Sequence, residues 1–327
     1  MTTKTNIIKS GLLASIFMFG LNTQAHEIIN FEKGAKKEKE YKTDLFELAA
    51  TCDPASSSVD LDINNVRTKI LNGGDMWWDL SSAKYEIPKV IEANGVKKHS
   101  LFAGALWIGG TENDELRMAA MTYRQTGSDF WPGPLDVNTF NTEKSRCDRY
   151  DKHWKINRSD LEEFEETNYN VAAPNILSWP AGANNPLNDG SETPSMAPYY
   201  EVAGGTPGFY EPSIGEYPVL NDQKPADKNG VSDQPDQMIW WVFNDKGNIH
   251  SETSSDPMGL ELQTTAFAYA TNDELNNMTF YRTKVIYRGA ASIENTYFGQ
   301  WVDADLGNFS DDYVGCDVTR GLGICYN

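Results

Sequence analysis

The stretches "QMIWWVFND" (237–245), "GLELQTTAFAYA" (259–270), "NMTFYRTKVIYRG" (277–289) and "ENTYFGQWVDADLG" (294–307) follow one another near the end of the chain. Each is rich in β-branched and aromatic residues, which suit a pleated, half-buried surface. The turn-forming pieces "DKGN" (245–248), "TNDELN" (271–276) and "RGAAS" (288–292) separate most of them. Short apolar runs divided by Gly, Asn and Asp read as strands, and connections this short join antiparallel neighbours. The spacing predicts an antiparallel meander within a sandwich.

Working toward the N-terminus, the same signals return. "VRTKI" alternates, "NGG" at 72–74 is a hairpin cue, and "DMWWDL" resumes the strand pattern. "SLFAGALWIGG" and "LRMAAMTYRQTG" read as two more strands joined by the polar tip "TENDE". Residues 127–237 differ: "DFWPGPLD", "ILSWPAGANNP" and "GGTPGFYEPSIGEYPVL" are Gly/Pro-rich with interspersed aromatics, which predicts long ordered loops. One short helix is expected there, capped by Ser159 and opened by the acids of "DLEEFEET", which favour the positive helix end. No strand–helix alternation and no internal repeat appears. The expectation is an all-β chain, a mostly antiparallel β-sandwich over 59–327 with long irregular loops and one short helix.

Residues 1–25 stand apart. Lys4 and Lys9 precede the apolar run Gly11–Leu21, which closes on Thr23-Gln24-Ala25. A basic start, a short apolar run and a small-x-small end make a secretory signal peptide, and the run is too short to span a bilayer. Residues 26–58 mix lysine and glutamate without a sustained apolar face, so a flexible lead-in is expected. The chain is then secreted or held at the cell surface, with no membrane-spanning segment once the signal is removed. Formal charge is 28 − 47 = −19, and loss of the two signal lysines makes it 26 − 47 = −21. That balance argues against nucleic acid and anionic membranes as partners and is compatible with divalent cations or neutral glycans.

Export implies an oxidising compartment, where four cysteines default to two disulfides. A tight turn at Arg320-Gly321 would set Cys316 opposite Cys325 across a hairpin, leaving Cys52 for Cys147.

Several clusters carry chemical potential. Trp77-Trp78 and Trp240-Trp241 are adjacent on expected strands, so one of each pair fills the core and the other is either a sugar-stacking platform or covered by loops. Asp148, Asp151 and His153 in "CDRYDKHW", and His250 with Glu252 in "NIHSET", have metal or acid–base readings, each set against a plain hydrogen-bonding role. The chain has no GxSxG, HExxH, P-loop or GxGxxG motif, which leans against an enzyme, although paired glycosidase carboxylates carry no local signature. Two stretches resemble calcium loops, in which carboxylates are spaced along a flexible turn containing Gly. In "DADLGNFSDD", Asp303 and Asp305 precede Gly307 and Asp311 and Asp312 follow it, with a carbonyl of Asn308 or Phe309 as a further ligand. The weaker "DKNGVSDQPD" offers Asp227, Asn229, Asp233 and Asp236 around Gly230.

Taken together, "LNGGDMWWDL", "HSLFAGALWIGG", "YDKHWKINRSDLEEF", "WWVFNDKGNIHSET", "TNDELNNMTFYRTKVIYRG" and "YFGQWVDADLGNFSDDYVGCD" resemble the N-terminal part of very large exported surface proteins of Bacteroidota, of the type IX secretion cargo type. The resemblance covers 59–327. It implies an export machinery as partner and a longer chain closed by a C-terminal sorting domain. This sequence stops at "GICYN", so the β region is expected to be incomplete at its C-terminus, with its last strand at an open sheet edge. The expected function is an extracellular structural or adhesive surface module stabilised by calcium and disulfides, contacting a glycan or another surface protein. The alternative is a glycan-binding or glycan-processing domain that uses exposed Trp side chains.

Overall fold

The computed structural model describes residues 51–89, 97–220 and 228–327, together with a two-residue strand at Ile16–Phe17. Apart from that strand, the expected signal peptide lies outside the described residues, as does most of the 26–58 lead-in. The strands are β1 (Ile16–Phe17), β2 (Ser58–Leu61), β3 (Arg67–Leu71), β4 (Asp75–Met76), β5 (Tyr85–Glu86), β6 (His99–Glu112), β7 (Glu115–Ala119), β8 (Trp131–Pro132) and β9 (Trp154–Asn157). They continue as β10 (Tyr199–Tyr200), β11 (Tyr217–Pro218), β12 (Gln237–Asn244), β13 (Leu260–Ala268), β14 (Phe280–Tyr287), β15 (Glu294–Ala304), β16 (Tyr313–Asp317) and β17 (Leu322–Tyr326). The helices are α1 (Lys144–Tyr150), α2 (Arg158–Glu166) and α3 (Pro174–Leu177).

The chain divides into two units, Ala49–Asp303 and a smaller one holding Ala304–Asn327 and β1. The larger unit is the expected all-β, sandwich-like body. One sheet runs β15-β6-β4-β3-β2, with β5 and β7 pairing alongside; the other runs β14-β13-β12-β8, with β9 also on β12. All pairings given for these strands are antiparallel. The sheets are tied where Trp77 Nε1 donates to Tyr281 Oη at 2.7 Å and the Tyr85 and Thr279 hydroxyls meet at 2.9 Å.

The hairpin cues hold. Gly73 and Gly74 take φ of +122° and +88° between β3 and β4. At Gly74 the reason is also space, because a Cβ there would lie 2.9 Å from the Phe130 ring. Asn113 and Asp114 adopt positive φ in the two-residue β6–β7 turn, as a twisted hairpin requires.

β12, β13 and β14 form the expected meander, but β15 leaves it and pairs with β6 in the other sheet. The reason lies in "IGG" (108–110). A Cβ on Gly110 would stand 2.4 Å from Ile293 Cγ2 and 3.0 Å from the Glu294 carbonyl, so the bare glycine lets β15 lie against β6. Gly110→Ala should therefore cost about 1–3 kcal/mol in urea unfolding, the usual penalty for overpacking. A loss below about 0.5 kcal/mol would show that β15 is seated by other contacts.

The central loops are ordered by aromatic packing. Trp154, Trp179, Trp240, Tyr150, Tyr210 and Tyr217 form one buried cluster with Leu161 and Phe164 of α2. The helix cap is shifted from the sequence reading. Asn157, not Ser159, precedes the first turn, and Asp160 reaches back to accept the Asn157 N–H at 2.9 Å. Two additional short helices, α1 and α3, carry no apolar periodicity long enough to read from sequence.

Cys52 and Cys147 are bonded, 95 residues apart in sequence, and both are buried against Trp131. Cys316 and Cys325 are not bonded, which corrects the second expected disulfide. The hairpin exists, but its register sets Cys316 opposite Gly323 and Cys325 opposite Val314. The thiols are one diagonal step apart rather than directly across. β17 pairs with β16 on one side and with β1 on the other, and β1 lies within the segment that the signal reading removes.

Candidate functional site

None of the paired tryptophans forms a platform. Trp77, Trp78, Trp240 and Trp241 are all buried, as are Trp131, Trp154 and Trp179. On β12 both faces are covered, so successive Trp side chains pack in opposite directions and each meets protein.

A different aromatic group reaches solvent. Trp78, in the core, lies edge-on to Tyr123 at 5.8 Å; Tyr123 lies edge-on to Trp301 at 5.0 Å; Trp301 stacks parallel to Trp107 with centroids 6.2 Å apart. Trp107 is 39% exposed, and its indole N–H is fixed by the Met121 carbonyl at 2.7 Å. At the centre of the ladder the Tyr123 hydroxyl donates to Asp303 Oδ2 at 2.5 Å. Burial, followed by that carboxylate, pushes the Tyr123 phenol well above its ordinary range. The ladder presents ring surface, a carboxylate and the Gln300 amide, which donates to the Ala105 carbonyl at 3.1 Å. Such a surface stacks and hydrogen-bonds. Trp107 and Trp301 are single residues on strands β6 and β15, so no local sequence signal marked them.

The expected calcium loop is only partly gathered. Asp303 is engaged by Tyr123. In the smaller unit, Gly307 turns with φ +88°, and the Leu306 N–H donates to Asp312 Oδ2 at 2.9 Å. Asp305 is buried, while Asp311 is exposed. Asp312 Oδ1 is shielded from solvent and has no hydrogen-bond partner, an acceptor that suits a cation. Among the described residues no group of three or more His, Cys, Asp or Glu is placed to hold a metal. In the weaker loop, Asp227 and the side chain of Asn229 lie outside the described residues. Asp233 is exposed, and Asp236 is turned away to Arg158 at 3.2 Å and the Ala270 N–H at 2.7 Å.

The His-containing stretches are clasps. Asp148 pairs with Lys144 at 3.1 Å, while Asp151 accepts the backbone N–H of Ser56 and Ser57 at 2.8 and 3.0 Å. His153 Nδ1 is 2.9 Å from the Ser57 hydroxyl. Burial pushes the His153 imidazole down to about 4, against an opposing pull from Asp151. A histidine with a depressed folded value supports stability above its unfolded value and loses it as pH falls toward the folded one. Melting should fall between pH 6.5 and 4, this residue contributing up to about 3 kcal/mol. His153→Gln should flatten that part of the pH profile; an unchanged profile would show that His153 is not the sensing group.

"NIHSET" is not a strand. His250 is buried with its ring nitrogens 2.9 Å from the Met118 carbonyl and 2.7 Å from the Asp245 carbonyl. Glu252 instead takes the Thr122 hydroxyl at 2.6 Å.

Two ionic hubs were not legible. Arg124 ties Asp75 at 2.6 Å to the carbonyls of Ala55 and Asn72. Glu192, whose carboxyl is pushed up by burial, accepts the Tyr150 hydroxyl at 2.5 Å and both Arg146 and Arg149 at 3.2 Å. The first holds loops to strand β4 through Asp75, and the second holds the loop at Glu192 to helix α1. No helix among the described residues is long and apolar enough to cross a membrane. No family model, curated protein or solved structure matches the chain.

Proposed function

We propose that the chain is an extracellular structural or adhesive surface module, exported by its N-terminal signal and braced by the Cys52–Cys147 disulfide. The observation that carries this reading is how its tryptophans are used. Seven of the nine are buried at 3% exposure or less, packed as pillars beneath loops rather than lining a groove. A module built so holds a rigid outer surface. Calcium belongs to the proposal as a brace of the 305–312 loop, through Asp305, Asp312 and backbone carbonyls. Extracellular sites of this kind work with dissociation constants of about 10⁻⁴–10⁻³ M. At ten times the dissociation constant, calcium would add about 1.4 kcal/mol. Chelator should then lower the melting temperature of the wild type but not of Asp312→Ala. An unchanged wild-type melting temperature would remove calcium from the account and leave the disulfide-braced module standing.

A second reading, contact with a glycan, is favoured by the Trp107–Trp301 stack. A glycan array on the wild type and on Trp107→Ala separates the two. Binding lost in Trp107→Ala supports glycan recognition, and an array with no binder favours a protein surface as the adhesive target.

A further inference from the structure

The stretch "NIHSET" places a histidine where the proposed function makes no use of it. The side chains of His250 and Asp129 are both fully buried, and Asp245 is buried as well. His250 Nδ1 lies 2.9 Å from the Met118 carbonyl, and Nε2 lies 2.7 Å from the Asp245 carbonyl. Nδ1 also stands 3.8 Å from Asp129 Oδ2. A backbone carbonyl only accepts, whereas a neutral imidazole has one N–H and one bare lone pair. In either neutral tautomer, one ring nitrogen would face a carbonyl lone pair to lone pair. The imidazolium donates at both nitrogens and satisfies both carbonyls.

The surroundings fit a cation. Asp129 accepts the N–H groups of Ala120, Glu252 and Thr253 at 3.2, 2.9 and 3.2 Å. Asp245 accepts those of Met258, Gly259 and Leu260 at 2.6, 3.0 and 2.6 Å. Carboxylates held by backbone N–H groups in this way are acceptors, and buried charges are normally paired. Burial pushes the Asp245 carboxyl up, and the charge on His250 opposes that push. The other charged groups nearby are engaged or weakened. Burial pushes the Lys246 ammonium down. Glu252 takes the Thr122 and Thr126 hydroxyls, and Arg117 is held by Glu112, Glu115 and Asp256. The Trp131 ring lies alongside the imidazole at 5.9 Å.

We propose that His250 is a buried imidazolium and serves as a proton-dependent latch, fastening the 245–259 connection between β12 and β13 to strand β7 and to Asp129. When a base in solution takes one ring N–H proton, the N–H electron pair stays on the ring, which becomes neutral. One nitrogen then opposes a carbonyl, and Asp129 and Asp245 lose their cation. The amides of 252, 253 and 258–260 are bound to those two carboxylates, so this connection opens first. The fold supports the protonated ring. The latch is therefore shut at neutral pH and opens as rising pH removes that proton.

The test is nitrogen NMR of the histidine-labelled chain. The four histidines are His26, His99, His153 and His250, so His250 is assigned by elimination with His26→Gln, His99→Gln and His153→Gln. At pH 7.5, above the ordinary imidazole value of about 6.5, both ring nitrogens of His250 are expected to carry a proton. As the pH is raised further, loss of one ring proton should coincide with a roughly tenfold or greater loss of hydrogen-exchange protection at 252, 253 and 258–260, corrected for intrinsic rate. The amides in the middle of β13 should stay protected. Three results would each overturn the proposal: a ring with a single proton at pH 7.5, a ring that loses its proton while those amides stay protected, or a ring still doubly protonated when the whole chain unfolds.

Discussion

Removing the Cys52–Cys147 disulfide by Cys52→Ser with Cys147→Ser is expected to cost about 4–5 kcal/mol, because a closed loop of nearly 100 residues is released in the unfolded chain. The bridge spans 95 residues of sequence, from the segment before β2 to helix α1. Between those ends lie the β2–β7 strands of one sheet and β8 of the other, so the bond spans most of the first half of the body. Local packing adds to the topological effect. Both cysteines pack on Trp131, and the Cys52 N–H donates to the Gly247 carbonyl at 2.9 Å. Gly247 itself lies so close to Trp131 that a Cβ would meet that side chain at 2.4–2.9 Å. Loss of the bond therefore frees residues 51–57 and loosens the Trp131 pocket together. Urea unfolding with a nearly unchanged slope and a much lower midpoint is expected. A loss under about 1 kcal/mol would mean that the entropy model does not apply to this loop.

The second large effect is at Arg124. Asp75 is fully buried and accepts from Arg124 Nε and Nη2 at 2.8 and 2.6 Å and from Trp78 Nε1 at 3.0 Å. Arg124 takes a positive φ of 53° to reach it, and its remaining donors bind the Ala55 and Asn72 carbonyls. Arg124→Met keeps the length and removes the charge, leaving a buried carboxylate with one indole donor. Breaking a buried pair in this way costs about 3–5 kcal/mol. The double variant Arg124→Met, Asp75→Asn should recover part of the loss, since no uncompensated charge then remains. If the double variant is no better than the single one, the destabilisation comes from the lost carbonyl contacts rather than from the orphaned charge.

Strands and hairpins were legible because they depend on periods of two and on Gly and Asn at turns, which are local; burial of both members of each Trp pair was not, because a period of two places only one of them in the core and the cover over the other comes from distant segments. The assignment of β15 to β6 was not legible. It depends on Gly110 meeting Ile293 across nearly two hundred residues, and a glycine in a strand does not say which backbone it admits. The β16–β17 hairpin was visible from Arg320-Gly321, yet its register was misplaced by one diagonal. "DVTRGLGI" does not state how many residues the turn consumes, and Val314, not Cys316, lies opposite Cys325. The bonded pair Cys52–Cys147 was reached by elimination and is present. The acidic stretch 303–312 looked like one site, but Asp303 belongs to strand β15 and answers to Tyr123, a partner no sequence window connects to it. The Trp107–Trp301 stack escaped for the same reason, since long-range juxtaposition has no local signature.

The export reading is most directly tested by a non-reducing peptide map of protein recovered from the outside of intact cells by surface proteolysis or from the medium. The account predicts an N-terminus at His26, with Cys52 and Cys147 found in one linked peptide pair. A chain retained inside the cell, still carrying residues 1–25 and with both of those thiols reduced, would contradict it.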